Sequence, residues 1–252
     1  MNALLQVSDL TVTFGGVTAV DGAGFAVEEG ALTGLIGPNG AGKTTVMRSI
    51  TGAVQPKAGT IRLAGQDLMG LPTHRRIRAG LGLSQQIVRP FRAMTLAENV
   101  MLAAGHGRTE RPLHALFSRQ RAAERERALA LLDLVGIGDA AGAFPAALPL
   151  GYLKRLEVAR ALALDPKLLL LDEPLAGLNH IEAHRLADTV LSLNERGLTI
   201  VLIEHNLGEV LRICRQLVVL DNGRKIAEGE PAKVMEQPDV RAAYLGEGDA
   251  AA

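Results

Sequence analysis

Two segments of the chain, Lys167 to Leu171 and Leu198 to Ile203, are apolar almost throughout and only as long as a strand. A strand without polar alternation is covered on both faces, which is the habit of parallel sheets flanked by helices. Parallel neighbours need a long crossover. Leu186, Val190 and Leu193 recur between the two segments at helical spacing, and Gly197 ends that helix. Ala31 to Ile36 is a third short apolar strand, and Lys43 to Ile50 reads as a helix stopped by Gly52 and Pro56. Leu10, Val12 and Phe14 alternate with Thr11 and Thr13, as in a half-buried strand, and Ile61 and Leu63 repeat the pattern after Gly59. Leu217 to Leu220, the Asn222-Gly223 turn and Lys225 to Ala227 form a predicted hairpin. Strands alternating with helices make the chain α/β.

From about Pro90 to Leu150 the strand pattern stops, and this stretch reads as a helical insertion. Its main helix runs from Ser118 to Val135, with Leu131 and Leu134 expected inside. Arg119, Arg121, Glu124, Arg125, Glu126 and Arg127 are expected on a solvated face.

Composition removes several function classes. The 252 residues carry 27 basic and 27 acidic side chains, and zero net charge argues against nucleic acid as a partner. Aromatics are 3% with no tryptophan, too few for stacking platforms. The single cysteine, Cys214, lies in an apolar stretch and reads as core filler in a chain suited to a reducing compartment. Met1 to Leu10 shows no basic segment leading into an apolar run, so no secretory signal is expected. No stretch approaches the ~18 apolar residues of a bilayer span, so work at a membrane would pass through a partner.

Chemistry concentrates at two places. Gly37-Pro38-Asn39-Gly40-Ala41-Gly42-Lys43-Thr44 fits the phosphate-binding loop pattern, with an apolar strand before it and a helix after it. Glycines let successive N–H groups turn inward, and the helix adds its positive end. Lys43 would reach the β- and γ-phosphates, from a loop expected to be solvated, and the Thr44 hydroxyl would hold Mg²⁺. The run Leu168-Leu169-Leu170-Leu171-Asp172-Glu173 brings an acidic pair to the C-terminal end of a strand, where α/β sheets place ligands. Asp172 would bind Mg²⁺, and Glu173 would orient or deprotonate an attacking water.

The phosphate loop, the helical insertion, Leu171-Asp172-Glu173-Pro174 and Glu204-His205 together resemble the ATP-binding subunit of ABC transporters. Phe14-Gly15-Gly16, Gln86-Ile87-Val88-Arg89-Pro90-Phe91, Glu204-His205-Asn206 and Pro238 to Gly246 carry a closer resemblance to the LivG type, associated with branched-chain amino acid uptake. The resemblance runs from about Leu4 to Gly246. It implies a P-loop NTPase (RecA-like) core with an antiparallel β subdomain and an inserted α-helical subdomain. The implied division is 1–87 and 156–246 for the core, 88–155 for the insertion and 247–252 for a tail, within one ABC ATPase domain.

The resemblance also implies roles. Phe14 would stack on adenine, and Thr45 would join the loop residues in binding ATP. Gln86, which the spacing to Arg89-Pro90-Phe91 selects over Gln85, would touch Mg²⁺ and the attacking water. His205 would be the switch at the γ-phosphate, and Asn179 would sit in the loop that crosses to a partner cassette. One segment departs from the family pattern. Where Leu-Ser-Gly-Gly-Gln is usual, this chain has Leu148-Pro149-Leu150-Gly151-Tyr152, and Pro149 offers neither a hydroxyl nor an N–H. Either an inactive half-site or a variant suited to its partner fits that departure.

The implied protein is a peripheral ATPase at the cytoplasmic face of the inner membrane. Its implied partners are transmembrane permease subunits, a second, different cassette packed head to tail, and indirectly an extracytoplasmic substrate-binding protein. Branched-chain or related amino acids are the expected cargo, with urea or amides as the alternative. A soluble ABC ATPase of translation or DNA repair is disfavoured by the single cassette and the lack of a long heptad run. A small-molecule kinase would not combine Asp172-Glu173, His205 and the insertion.

Overall fold

The computed structural model describes residues 3–84, 89–105 and 118–245. Its strands are β1 (Ala3–Phe14), β2 (Val17–Glu28), β3 (Leu32–Ile36), β4 (Ala58–Leu63), β5 (Gln66–Asp67), β6 (Leu81–Ser84), β7 (Leu168–Asp172), β8 (Thr199–Ile203), β9 (Gln216–Asp221) and β10 (Arg224–Gly229). They form two sheets. One has four strands in the order β2-β1-β4-β5, all antiparallel. The other has six in the order β10-β9-β3-β8-β7-β6, parallel except for the β9–β10 hairpin.

Alternate leucines of β7 lie in different cores, which is why its sequence shows no polar alternation. Leu169 and Leu171 pack with the helices on one face of the six-stranded sheet. Leu168 and Leu170 pack on the other face with β1, β2, β4 and the helix α1 (Lys43–Thr51). Each fully buried leucine contributes about 1.5–3 kcal/mol to holding the layers together. The crossover between β7 and β8 is α6 (His180–Glu195), with Leu186, Val190 and Leu193 buried as the spacing predicts. Asn222 (φ 45°) and Gly223 (φ 80°) make the hairpin turn with both central residues left-handed. Cys214 is buried, and burial pushes its thiol up to about 12, so it is inert filler.

Between Pro90 and Pro149 the described residues hold helices and turns and no strand. After the short helix α2 (Thr73–Arg78), the helices are α3 (Leu96–Ala104) and α4 (Ser118–Leu134), and α5 (Leu150–Leu162) follows. The inward face of α4 differs from expectation. Ala128 and Leu132 are its buried residues, continued by Val135 just past its end at i+7, while Leu131 and Leu134 are half-buried at the edge of the stripe. Arg125, Glu126 and Arg127 are exposed and Glu124 is half-buried, whereas the side chains of Arg119 and Arg121 lie outside the described residues.

β2 is the long element that the hydrophobic pattern does not announce. Its pairing with β1 shifts register at several points, and Gly22 (φ 62°) and Asp9 (φ 50°) are left-handed there. Each such irregularity resets the two-residue period on which strand recognition depends.

Candidate functional site

The phosphate loop leaves the C-terminal end of β3 and runs into α1. Gly37 (φ 145°), Gly40 (φ 78°) and Gly42 (φ 98°) take conformations that side chains oppose. A Cβ on Gly37 would lie 2.0 Å from the Leu220 carbonyl oxygen, and one on Gly42 would lie 2.6 Å from that of Ala19. The loop is therefore wedged between β9 and β2, and only glycine fits at those two points. Lys43 corrects the expectation of a solvated side chain. It is 5% exposed, and its Nζ donates to the carbonyl oxygens of Gly37 at 2.6 Å and Pro38 at 2.8 Å. The ammonium holds the loop from inside. Phosphate oxygens would compete with those carbonyls for its protons.

Beside the loop, β7 ends in Asp172 and Glu173. Glu173 has φ 49°, a left-handed turn in a residue with a side chain. Its N–H donates to the Ile203 carbonyl at 2.9 Å, extending the β7–β8 ladder to the turn. His205 Nε2 lies 3.0 Å from Glu173 Oε1. Glu173 and His205 share a cavity of about 210 Å³ with Ala19 and the loop residues from Asn39 to Thr45. One small space thus brings together the C-terminal ends of two neighbouring strands, β7 and β8, and the N-terminus of α1.

Three groups beside this cavity have pKa values displaced by burial. Burial, and then the neighbouring Glu173 carboxylate, raises the Asp172 pKa, opposed by Arg48, Lys154 and His205. Asp172 Oδ1 is buried with no hydrogen-bond partner among the described residues. A bare carboxylate oxygen at a strand end suits a cation, and with the Thr44 hydroxyl it offers two protein donors. That small set matches Mg²⁺, which keeps several waters and shares its remaining positions with substrate phosphates. Glu204 is also raised by burial, although it accepts from the N–H groups of Leu175 at 2.6 Å and His205 at 3.2 Å. It fixes the backbone on both sides of the cavity. Lys154 is lowered by burial, opposed by Glu204, Glu173, Asp172 and Glu157.

Lys154 and Glu204 are site groups to which the sequence assigns no role. Lys154 lies on α5 in line with Val158 and Ala161, both buried, so a charge on an apolar stripe was the available signal.

The other expected residues fall as follows. Phe14 is 50% exposed at the end of β1 and is not part of either core, but it does not line the cavity described above. Gln86 lies outside the described residues. Asn179 caps α6, accepting from the Glu182 N–H at 2.9 Å while Glu182 accepts from the Asn179 N–H. The variant signature segment opens α5 at Pro149, with no side-chain cap, and Leu150 is 41% exposed. Tyr152 turns away, its hydroxyl donating to Asp139 Oδ2 at 3.2 Å.

The chain matches the ABC transporter family over residues 20–176. It also matches a family described as branched-chain amino acid ATP-binding cassette transporter over residues 224–250. It is 41% identical over 250 residues to the high-affinity branched-chain amino acid transport ATP-binding protein BraF of Pseudomonas aeruginosa, covering 97% of this chain and 98% of that one. With the corresponding LivG protein of Escherichia coli the identity is 39% over 251 residues, covering 97% and 98%. Among solved structures, the ADP conformation of an ATP-binding cassette of an ABC transporter superposes with a TM-score of 0.85 at 30% identity, covering 98% of this chain and 100% of that chain.

Proposed function

The chain belongs to the ABC transporter family of ATP-hydrolysing cassettes, and from that premise we propose that it powers an importer of branched-chain amino acids. The similarity over nearly the whole chain to transport subunits of that class supports the cargo, as does the family match at residues 224–250. The observation that carries the chemistry is the single cavity where the phosphate loop, Glu173 and His205 meet.

In this reading the loop N–H groups and Lys43 hold the β- and γ-phosphates, Thr45 adds to the same wall, and Phe14 takes the adenine. Asp172 and Thr44, with Gln86, hold Mg²⁺. When bound, Mg²⁺ offsets charge on the phosphates. Glu173 orients a water in line with the γ-phosphorus and accepts its proton. The new bond joins the water oxygen to phosphorus, and the bond to the bridging oxygen breaks, releasing ADP and phosphate. His205, hydrogen-bonded to Glu173, fixes the carboxylate. Residues 88–155 form the helical insertion and 1–87 with 156–246 the core, so α5 bridges the two.

Among the described residues no helix is long and apolar enough to cross a membrane. We assign the path for the cargo to transmembrane permease subunits, with this chain at their cytoplasmic side beside a second cassette. Steady-state ATPase of the assembled transporter tests the chemistry. Glu173→Gln should keep ATP binding and lose at least ~10²-fold in turnover, the usual worth of such a group. More than about a tenth of wild-type turnover would remove Glu173 from that role. Stimulation by leucine-loaded binding protein, and not by urea or amides, tests the cargo.

A further inference from the structure

The left-handed turn at Glu173 needs an explanation of its own. A non-glycine residue in that region costs about 1–3 kcal/mol and persists only where its surroundings over-determine it. Two main-chain anchors come from other elements. One is the Ile203 carbonyl, 2.9 Å from the Glu173 N–H. The other is Lys154, whose Nζ donates to the Glu173 carbonyl oxygen at 3.0 Å. The Ala176 N–H, at 3.2 Å from the same oxygen, only closes the local turn.

Lys154 is 5% exposed, and a charge so placed is costly unless compensated. Compensation comes from the carboxylates of Glu204, Glu173, Asp172 and Glu157 around it. A leucine or methionine would fill the same stripe of α5 without that cost. The position of Lys154 along α5 adds meaning. It lies one turn beyond Leu150, where the helix opens at the variant signature segment.

We propose that Lys154 is a positioning residue for Glu173: it clamps the turn that aims the carboxylate and ties the signature helix to the hydrolytic group of the same subunit. This rests on the reading of Glu173 as the water-orienting group. The Lys154 ammonium donates to the Glu173 main-chain carbonyl and acts through it. The phosphate loop hangs from β3 and α1, so ATP affinity should depend on Lys154 only weakly, through the Asp172 charge it faces.

The test compares wild type, Lys154→Met, Lys154→Arg and Glu173→Gln in the assembled transporter. Lys154→Met should lower kcat about 10- to 100-fold, the range for misplacing a reacting group by about 1 Å, with KM for ATP within about twofold. Lys154→Arg should restore most of the loss. In single turnovers, adding Lys154→Met to Glu173→Gln should cost less than about twofold, since a residue that acts only through Glu173 has nothing left to position. If Lys154→Met fails to assemble, Lys154→Gln is read by the same criteria. A near wild-type kcat, a loss carried in KM, or a full further loss in the double variant would overturn the proposal. If Glu173→Gln itself keeps its turnover, the Glu173 assignment fails and the Lys154 proposal falls with it. If only the Lys154 variants stay active, the proposal alone is wrong.

Discussion

Helices α1 and α5 both begin where a nucleotide phosphate is expected, and they begin very differently. Each N-terminus carries roughly half a positive charge from its aligned peptides. In front of α1, three glycines with positive φ curl the chain, and a buried ammonium sits within the curl. In front of α5 stands Pro149, whose carbonyl already accepts from the N–H groups of Tyr152 at 3.1 Å and Leu153 at 3.4 Å. The dipole is common to both ends. What turns one of them into a phosphate grip is the loop ahead of the helix.

The strongest way to break this contrast is to put a side chain into the α1 loop. Gly37→Ala would set a Cβ against the Leu220 backbone at φ 145°, with no flexible neighbour to yield. Strain of about 3 kcal/mol or more should weaken ATP binding about 100-fold or more and lower the melting temperature. Gly151→Ala, at the start of α5, meets only the end of the Glu182 side chain at 3.1 Å and should change binding less than about twofold. Equilibrium ATP binding by the two variants measures the difference. Equal effects would mean that the loop backbone is not what distinguishes the two ends.

Next comes Lys43→Ala. Loss of one charge-assisted bond to phosphate, at about 1.5–3 kcal/mol, should weaken ATP about 10- to 100-fold. Because the ammonium also satisfies the carbonyls of Gly37 and Pro38, its removal should cost about 1–3 kcal/mol of stability without nucleotide. A denaturant titration without ATP separates the two effects. An unchanged midpoint would show that the loop stands without its ammonium.

That second cost was not legible in the sequence. A motif reports which residue types meet a phosphate, but not what they do otherwise. The parallel strands were legible because β7 and β8 are buried on both faces, and the hairpin because Asn222-Gly223 has one good conformation. The inner face of α4 was misread by one position, since four leucines from Leu129 to Leu134 fit two overlapping stripes. Glu173 and His205 could be assigned singly, yet their 3.0 Å contact depends on how β7 and β8 end beside each other. Lys154 escaped because the Glu173 carbonyl oxygen to which it donates carries no residue-type signal.

The smallest expected effect comes from trying to make α5 resemble α1. Pro149→Ser places a hydroxyl at the helix N-cap, where φ −60° and ψ 159° suit serine as well as proline. Capping by serine contributes about 1 kcal/mol, against a loss of about 0.4–1 kcal/mol from the added freedom of the unfolded chain, so the melting point should barely move. In the assembled transporter the hydroxyl would face the nucleotide held by the partner cassette. One added hydrogen bond nets about 0.5–1.5 kcal/mol, so turnover at that site should rise up to about tenfold. The intact phosphate loop and the variant signature of this chain together predict an asymmetric pair. Its better-equipped site would use this chain's Lys43 and Glu173 with a different cassette's signature. Purification with the permease identifies that cassette, and Glu-to-Gln variants in each cassette compare the sites. A homodimer, or equal losses from both variants, would defeat the asymmetry. No gain from Pro149→Ser within an asymmetric pair would instead mean that the apolar segment is fitted to its partner, with Leu150 contributing packing where other cassettes contribute a hydroxyl.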